Sequence, residues 1–190
     1  MRHVLQVAIC LGMAVFSACT PASDQNQTKV YYDLEGFVKK QIALLEKQKP
    51  MVDKAATIKQ QTQNQQTREV DWAHELELFV QADLNKSAFR SSYQVSQADP
   101  LSYTYTLKPE EDKLTVRSLS IQLDSATRQP RRIEALLRTR NLLYESDRHV
   151  LMTCAPASGS EWRVQHYAID GYQQLRFFER NDFGVKATVH

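Results

Sequence analysis

From Tyr93 to the end of the chain, apolar residues recur at every second position, and this period constrains the fold more than any other feature. Tyr93 and Val95 alternate with Ser92, Gln94 and Ser96, and Leu101, Tyr103, Tyr105 and Leu107 alternate with Ser102, Thr104 and Thr106. Alternation sends one set of side chains to a buried face and the other to solvent, which is the pattern of half-buried antiparallel strands. The next run slips phase, with Leu114 and Val116 at even positions and Leu119, Ile121 and Leu123 at odd ones. A bulge near Arg117 and Ser118 accounts for the switch. Ile133, Ala135 and Leu137 share a face opposite Arg132, Glu134 and Arg138. A further strand is expected within Leu142 to Cys154, interrupted by the polar stretch Glu145 to Arg148. The end reads as a meander: Trp162 to Ile169, a turn at Asp170-Gly171, Gln173 to Arg180, a turn at Asn181-Asp182, and Phe183 to Val189.

The region before Tyr93 has a different period. Asp33 suits an N-cap, and Leu34, Phe37, Val38, Ile42 and Leu45 follow at spacings of three and four, so an amphipathic helix is predicted that ends by Lys49, ahead of Pro50. Asp71 caps a second predicted helix whose face is Trp72, Leu76, Phe79 and Val80, with Asn85 as its stop. Residues 51–70 between them fit a helix or a strand, and the Gln-rich stretch 60–66 favours an exposed hairpin turning near Gln63 and Asn64. Two helices followed by hairpin-linked strands predict an α+β domain: one curved antiparallel sheet with both N-terminal helices packed on its concave face. In outline this resembles the half-barrel of periplasmic lipoprotein carriers and their outer-membrane receptors.

Residues 1–30 carry no such domain signal. Arg2 and His3 precede an apolar run, Val4 to Phe16, interrupted only by Gln6 and Gly12, which is the layout of an export signal. The run is well short of the ~20 residues of a membrane-spanning helix. Phe16-Ser17-Ala18-Cys19 resembles a bacterial lipobox, in which a hydrophobic and two small residues precede a cysteine that is acylated and becomes the new N-terminus. The family usually carries Leu where this chain has Phe16. The competing reading is an ordinary signal peptide cut after Thr20-Pro21-Ala22. The resemblance implies residues 1–18 as signal peptide, lipid attachment at Cys19, a polar tether over 19–30, and a single domain over 31–190. Thr20 stands where inner-membrane retention signals often have Asp, so the resemblance implies anchoring in the outer membrane. Loss of 18 of the 190 residues leaves 172, enough for one sizeable core. Only Arg2 of the 24 Lys and Arg goes with them, leaving 23 against 22 Asp and Glu, which gives no general argument for nucleic acid as a partner.

Catalytic patterns are missing. The chain has no G-x-S-x-G, P-loop or G-x-G-x-x-G, and His74-Glu75 lacks the second histidine of a metalloprotease helix. His149, His166 and His190 show no metal-ligand spacing, so no cofactor or metal is expected. Cys154 sits among apolar neighbours and reads as a core thiol, and Ser158-Gly159-Ser160 reads as a loop. Two features suggest binding. Arg128, Arg131, Arg132, Arg138 and Arg140 concentrate positive charge on one strand and its approach, and would suit an anionic lipid headgroup or acidic partner. Tyr103 and Tyr105, with other aromatics of the sheet, would line an apolar cleft if the helices left one uncovered. The expectation is a non-enzymatic structural or assembly component of the cell envelope. The alternative is a tethered carrier of a lipid or other amphiphile between helices and sheet.

Overall fold

The computed structural model describes residues 29–157 and 161–190. The lipobox, the tether up to Thr28 and the 158–160 loop lie outside these residues. The chain forms α1 (Leu34–Gln48), β1 (Val52–Ile58), β2 (Gln61–Thr67), α2 (Trp72–Glu75) and α3 (Glu77–Gln81). Then come β3 (Tyr93–Asp99), β4 (Ser102–Leu107), β5 (Val116–Leu123), β6 (Pro130–Arg140), β7 (Tyr144–Pro156), β8 (Trp162–Leu175) and β9 (Asn181–Val189).

All nine strands join one antiparallel sheet in the order β2-β1-β9-β8-β7-β6-β5-β4-β3. From β3 to β9 the chain is a meander, and the β1–β2 hairpin attaches to its far side through β9. Val52 lies opposite Val189 and Ile58 opposite Phe183. This corrects the expected α+β class, because the described residues are mainly β with three short α-helices. Residues 51–70 are strands placed between the two expected helices, so the helices do not precede the sheet as a pair. The second is broken at Leu76, whose N–H bonds back to both Trp72 and His74.

The sheet buries one face. Val116, Leu119, Ile121, Ile133, Ala135, Leu137, Val150, Met152, Tyr167 and Ala187 point to the same side and form one core with the helices. The register between β5 and β6 slips between Val116 and Ser118, so the apolar residues on both sides of the bulge reach that core. From α1 come Leu34, Val38 and Leu45, and from the following helices Trp72, Leu76 and Phe79, all between 0% and 2% exposed. These side chains occupy the space between helices and sheet where an amphiphile would have had to sit.

Polar contacts fix the helices in place. The Asp33 side chain accepts from Gly36 N at 2.9 Å, and buried Asp83, just beyond α3, accepts from Glu35 N at 3.1 Å. Two carboxylates thus satisfy the first turn of α1, where free N–H groups and the helix dipole favour negative charge. Asn85 bonds the backbone on both sides of the Tyr31–Tyr32 link. The Glu75 carboxylate accepts from Tyr167 Oη at 2.8 Å and pairs with Lys54, tying α2 to β8 and β1. Burial, then the nearby Glu75 charge, pushes the Tyr167 hydroxyl far above its ordinary range and keeps it a donor.

Three local expectations change. The β1–β2 turn falls at Lys59-Gln60, both with positive φ, rather than near Gln63 and Asn64. β7 runs unbroken through Glu145 to Arg148, because Glu145 and Asp147 project to the solvent face and pair there with Arg140 and Arg138. β8 continues through Asp170-Gly171, and the turn lies further on, between Leu175 and Asn181.

Candidate functional site

A broad concavity lies on the face the helices leave bare. It measures about 690 Å³ and spans β7, β8, β9, β1 and β2. Strand register builds its floor from two cross-strand rows. In one row Thr153, His166, Thr188, Asp53 and Gln66 stand side by side on five neighbouring strands. In the next, Leu151, Ala168, Lys186, Ala55 and Asn64 do the same. Small side chains at Ala55, Ala168, Thr153 and Thr188 make the depression, and longer polar ones rim it.

The first row is already hydrogen-bonded. Asp53 accepts from Gln66 Nε2 at 2.7 Å, and its other oxygen lies 2.7 Å from His190 Nε2. Those two bonds, His190 first, hold the Asp53 carboxyl below its usual range. His166 Nδ1 lies 3.1 Å from the Thr188 hydroxyl. A hydroxyl, an imidazole and a carboxylate are thus neighbours, but they form no relay. Asp53 orients His190, whereas the imidazole beside Thr188 is His166, so no carboxylate orients the base next to the hydroxyl. No group of three or more potential metal ligands occurs among the described residues.

The second row leaves one group without a partner. Lys186 stands between Ala168 and Ala55, is exposed, and makes no ion pair among the described residues. An ammonium over a floor of methyl groups offers a partner's carboxylate a charge that no neighbour competes for.

The residues singled out in the sequence fall elsewhere. Arg132, Arg138 and Arg140 are on the helix-free face, but each has a carboxylate: Glu134 at 2.8 Å, Asp147 in a two-bond fork at 2.7 Å, and Glu145 at 2.9 Å. Arg131 is exposed at the start of β6 beside Asp124, whose carboxyl is lowered chiefly by its bonds to Thr127 and only lastly by Arg131. Tyr103 and Tyr105 stack on each other on the opposite, helix-covered face. Tyr105 is buried there, its hydroxyl accepting from Tyr32 N at 3.2 Å. The structure therefore does not bring the arginines and tyrosines to one site. Cys154 is 4% exposed, and burial pushes its thiol up to about 12. Cys19 lies outside the described residues.

The trough residues gave no sequence signal. Alternation within β9 places Lys186, Thr188 and His190 on one face, but nothing in the chain shows that β1 pairs with β9 and brings Asp53 and Ala55 beside them.

Comparison with protein families, with curated proteins and with solved structures finds no match for this chain. The fold and site define its class, a mainly β protein with one open nine-stranded sheet, helix-packed on one face and troughed on the other.

Proposed function

We propose that the protein is an exported, lipid-anchored component of the bacterial envelope, held at the outer membrane through Cys19, that works by binding a partner rather than by catalysis. The observation that carries the binding half is the trough on the helix-free face, with unpaired Lys186 above a floor of small residues. Its partner is an extended, acidic segment of another envelope component, laid across β8, β9 and β1 so that a carboxylate meets Lys186. A charge-assisted bond of that kind is stronger than a neutral one. The lipobox residues support the anchoring half, since dual acylation holds a protein stably where one chain does not. The carrier alternative draws no support from the helix–sheet interface, whose space Leu34, Trp72, Leu76 and Phe79 fill.

A pair of experiments in intact cells tests the two halves. A photo-crosslinking residue at Ala168, beside Lys186 on the neighbouring strand, should give a discrete adduct that Lys186→Glu abolishes. The same residue at Ser120, on the same face but outside the trough, should give none. Monomer alone at position 168, or equal adducts at both positions, would overturn the binding site. Metabolic labelling with a palmitate analogue should mark the wild-type protein and not Cys19→Ala, and an unlabelled wild type would remove the anchor.

A further inference from the structure

The end of the sheet formed by the β1–β2, β6–β7 and β8–β9 turns exposes large apolar side chains far beyond what a solvated turn needs. Phe177 is 84% exposed, Leu142 83%, Phe178 69% and Leu143 63%. Turns ordinarily carry small and polar residues, so a Phe-Phe and a Leu-Leu pair on two neighbouring turns are unfavourable in water. The turns also form one rigid platform. Arg176 N bonds to Leu143 O at 2.9 Å, and Lys59 N bonds to Asp182 O at 3.1 Å, so all three hairpin ends are tied together.

We propose that this end docks into a lipid bilayer surface, with Phe177, Phe178, Leu142 and Leu143 entering the interfacial zone. Three observations favour lipid over a protein partner. First, the apolar groups stand as two pairs, Leu142-Leu143 and Phe177-Phe178, on neighbouring turn tips at one end of the sheet, where a flat interfacial layer reaches all four at once. Second, cations lie just behind the tips. The Arg176 guanidinium sits 5.7 Å from the Phe177 ring centre, whereas Arg180, 3.9 Å from that of Tyr172, is paired with Asp182. Arg176 and Lys59 have no carboxylate partner among the described residues. Long cationic side chains keep their stems in the apolar layer and their heads among anionic headgroups. Third, the chain enters α1 from this end. Tyr31 bonds to the backbone of Phe89 and Arg90, just before the start of β3, whereas the last turn of α1 meets Glu161 and Arg163 at the opposite end. From Tyr31 onward the chain therefore enters the domain at the end that carries these turns. The docking goes beyond the anchoring reading and stands without acylation of Cys19.

Tryptophan quenching by lipid tests the proposal on the full-length chain. Both native tryptophans, Trp72 and Trp162, are buried, so a new one at an exposed turn reports its own surroundings. Phe178→Trp should be quenched by brominated phospholipid in phosphatidylethanolamine–phosphatidylglycerol vesicles. Thr127→Trp, on the β5–β6 turn at the opposite end, should not be. Adding Leu142→Ser and Leu143→Ser to the Phe178→Trp chain should abolish most of the quenching while leaving far-ultraviolet circular dichroism unchanged. Equal quenching at 178 and 127, or none at 178 in vesicle-bound protein, would overturn it. So would a concentration-dependent blue shift of the Phe178→Trp emission without lipid, which would assign the patch to a second copy of the chain. Because the readout compares two ends of one molecule, it is independent of whether Cys19 carries lipid.

Discussion

Gly171 shows how one residue can mislead and then explain. Asp-Gly is a strong hairpin signal, yet Gly171 lies within β8, where an added Cβ would sit 2.1 Å from the Asp147 carbonyl oxygen on β7. The glycine serves close backbone approach, not a turn. Gly171→Ala must push β7 and β8 apart and should cost about 1–3 kcal/mol or more. Gly184→Ala, where the nearest atom is 4.0 Å away, should stay within about 0.5 kcal/mol. Urea midpoints of the two variants check this, and equal midpoints would contradict the packing account. The opposite failure occurs at Lys59-Gln60. That turn lacks the Gly or Asn that positive φ favours, so the sequence pointed instead to Asn64 nearby.

Among the elements, α1 was the most legible, since its cap, its limits and most of its buried face follow from spacing. What spacing could not show is Gln41, a polar residue that is 5% exposed on the apolar side. Its reason lies 121 to 123 residues further on. The β7–β8 register shifts between Thr153 and Cys154, leaving Gln165 as an extra residue in β8, and Gln41 bonds the backbone beside it. Its Nε2 donates to Trp162 O at 3.1 Å, and its Oε1 accepts from Val164 N at 3.0 Å. Gln41→Leu keeps the bulk but leaves a buried donor and acceptor unpaired, and should cost about 1–3 kcal/mol. A denaturation midpoint equal to wild type would show that the amide is dispensable. The phase slip in β5 was legible because apolar residues flank it on both sides. The β8 bulge carries the same signature, with Trp162 and Val164 at even positions and Tyr167 and Ile169 at odd ones across the polar pair Gln165-His166.

For the whole molecule, alternation revealed an antiparallel sheet with one buried face but not its order or its helix content. The early hairpin joins the last strand, a pairing that local pattern cannot display. The same long-range pairing hid the trough, and Glu134 on the same strand, with Asp147 and Glu145 across from it, neutralises Arg132, Arg138 and Arg140 of the arginine stripe that stood out along the chain. The pairs on the helix-free face give the protein an acid dependence. Arg138 holds the Asp147 carboxyl below its ordinary range, His149 and then Arg132 lower Glu134, and Tyr172 and then Arg140 lower Glu145. A carboxyl lowered by folding contributes stability above its unfolded value, near pH 4, and loses it as pH falls through the folded value. Stability should therefore fall from about pH 5 downward. Asp147→Asn should be less stable than wild type at neutral pH and show a shallower acid decline. Urea midpoints across a pH series from neutral to strongly acid check the sign, and an unchanged acid slope would show that Asp147 carries none of it.

The pairing of β1 with β9 also governs the order in which the molecule can assemble. Asp53 and His190 touch across a sequence separation of 137 residues, and among the described residues the β1–β2 hairpin has no strand partner except β9. Closing so long a loop is entropically late and kinetically slow. A chain emerging from its N-terminus cannot complete its sheet until the last nine-residue strand has appeared. For a chain exported as proposed and threaded unfolded through its membrane, this topology delays the finished sheet until β9 has crossed.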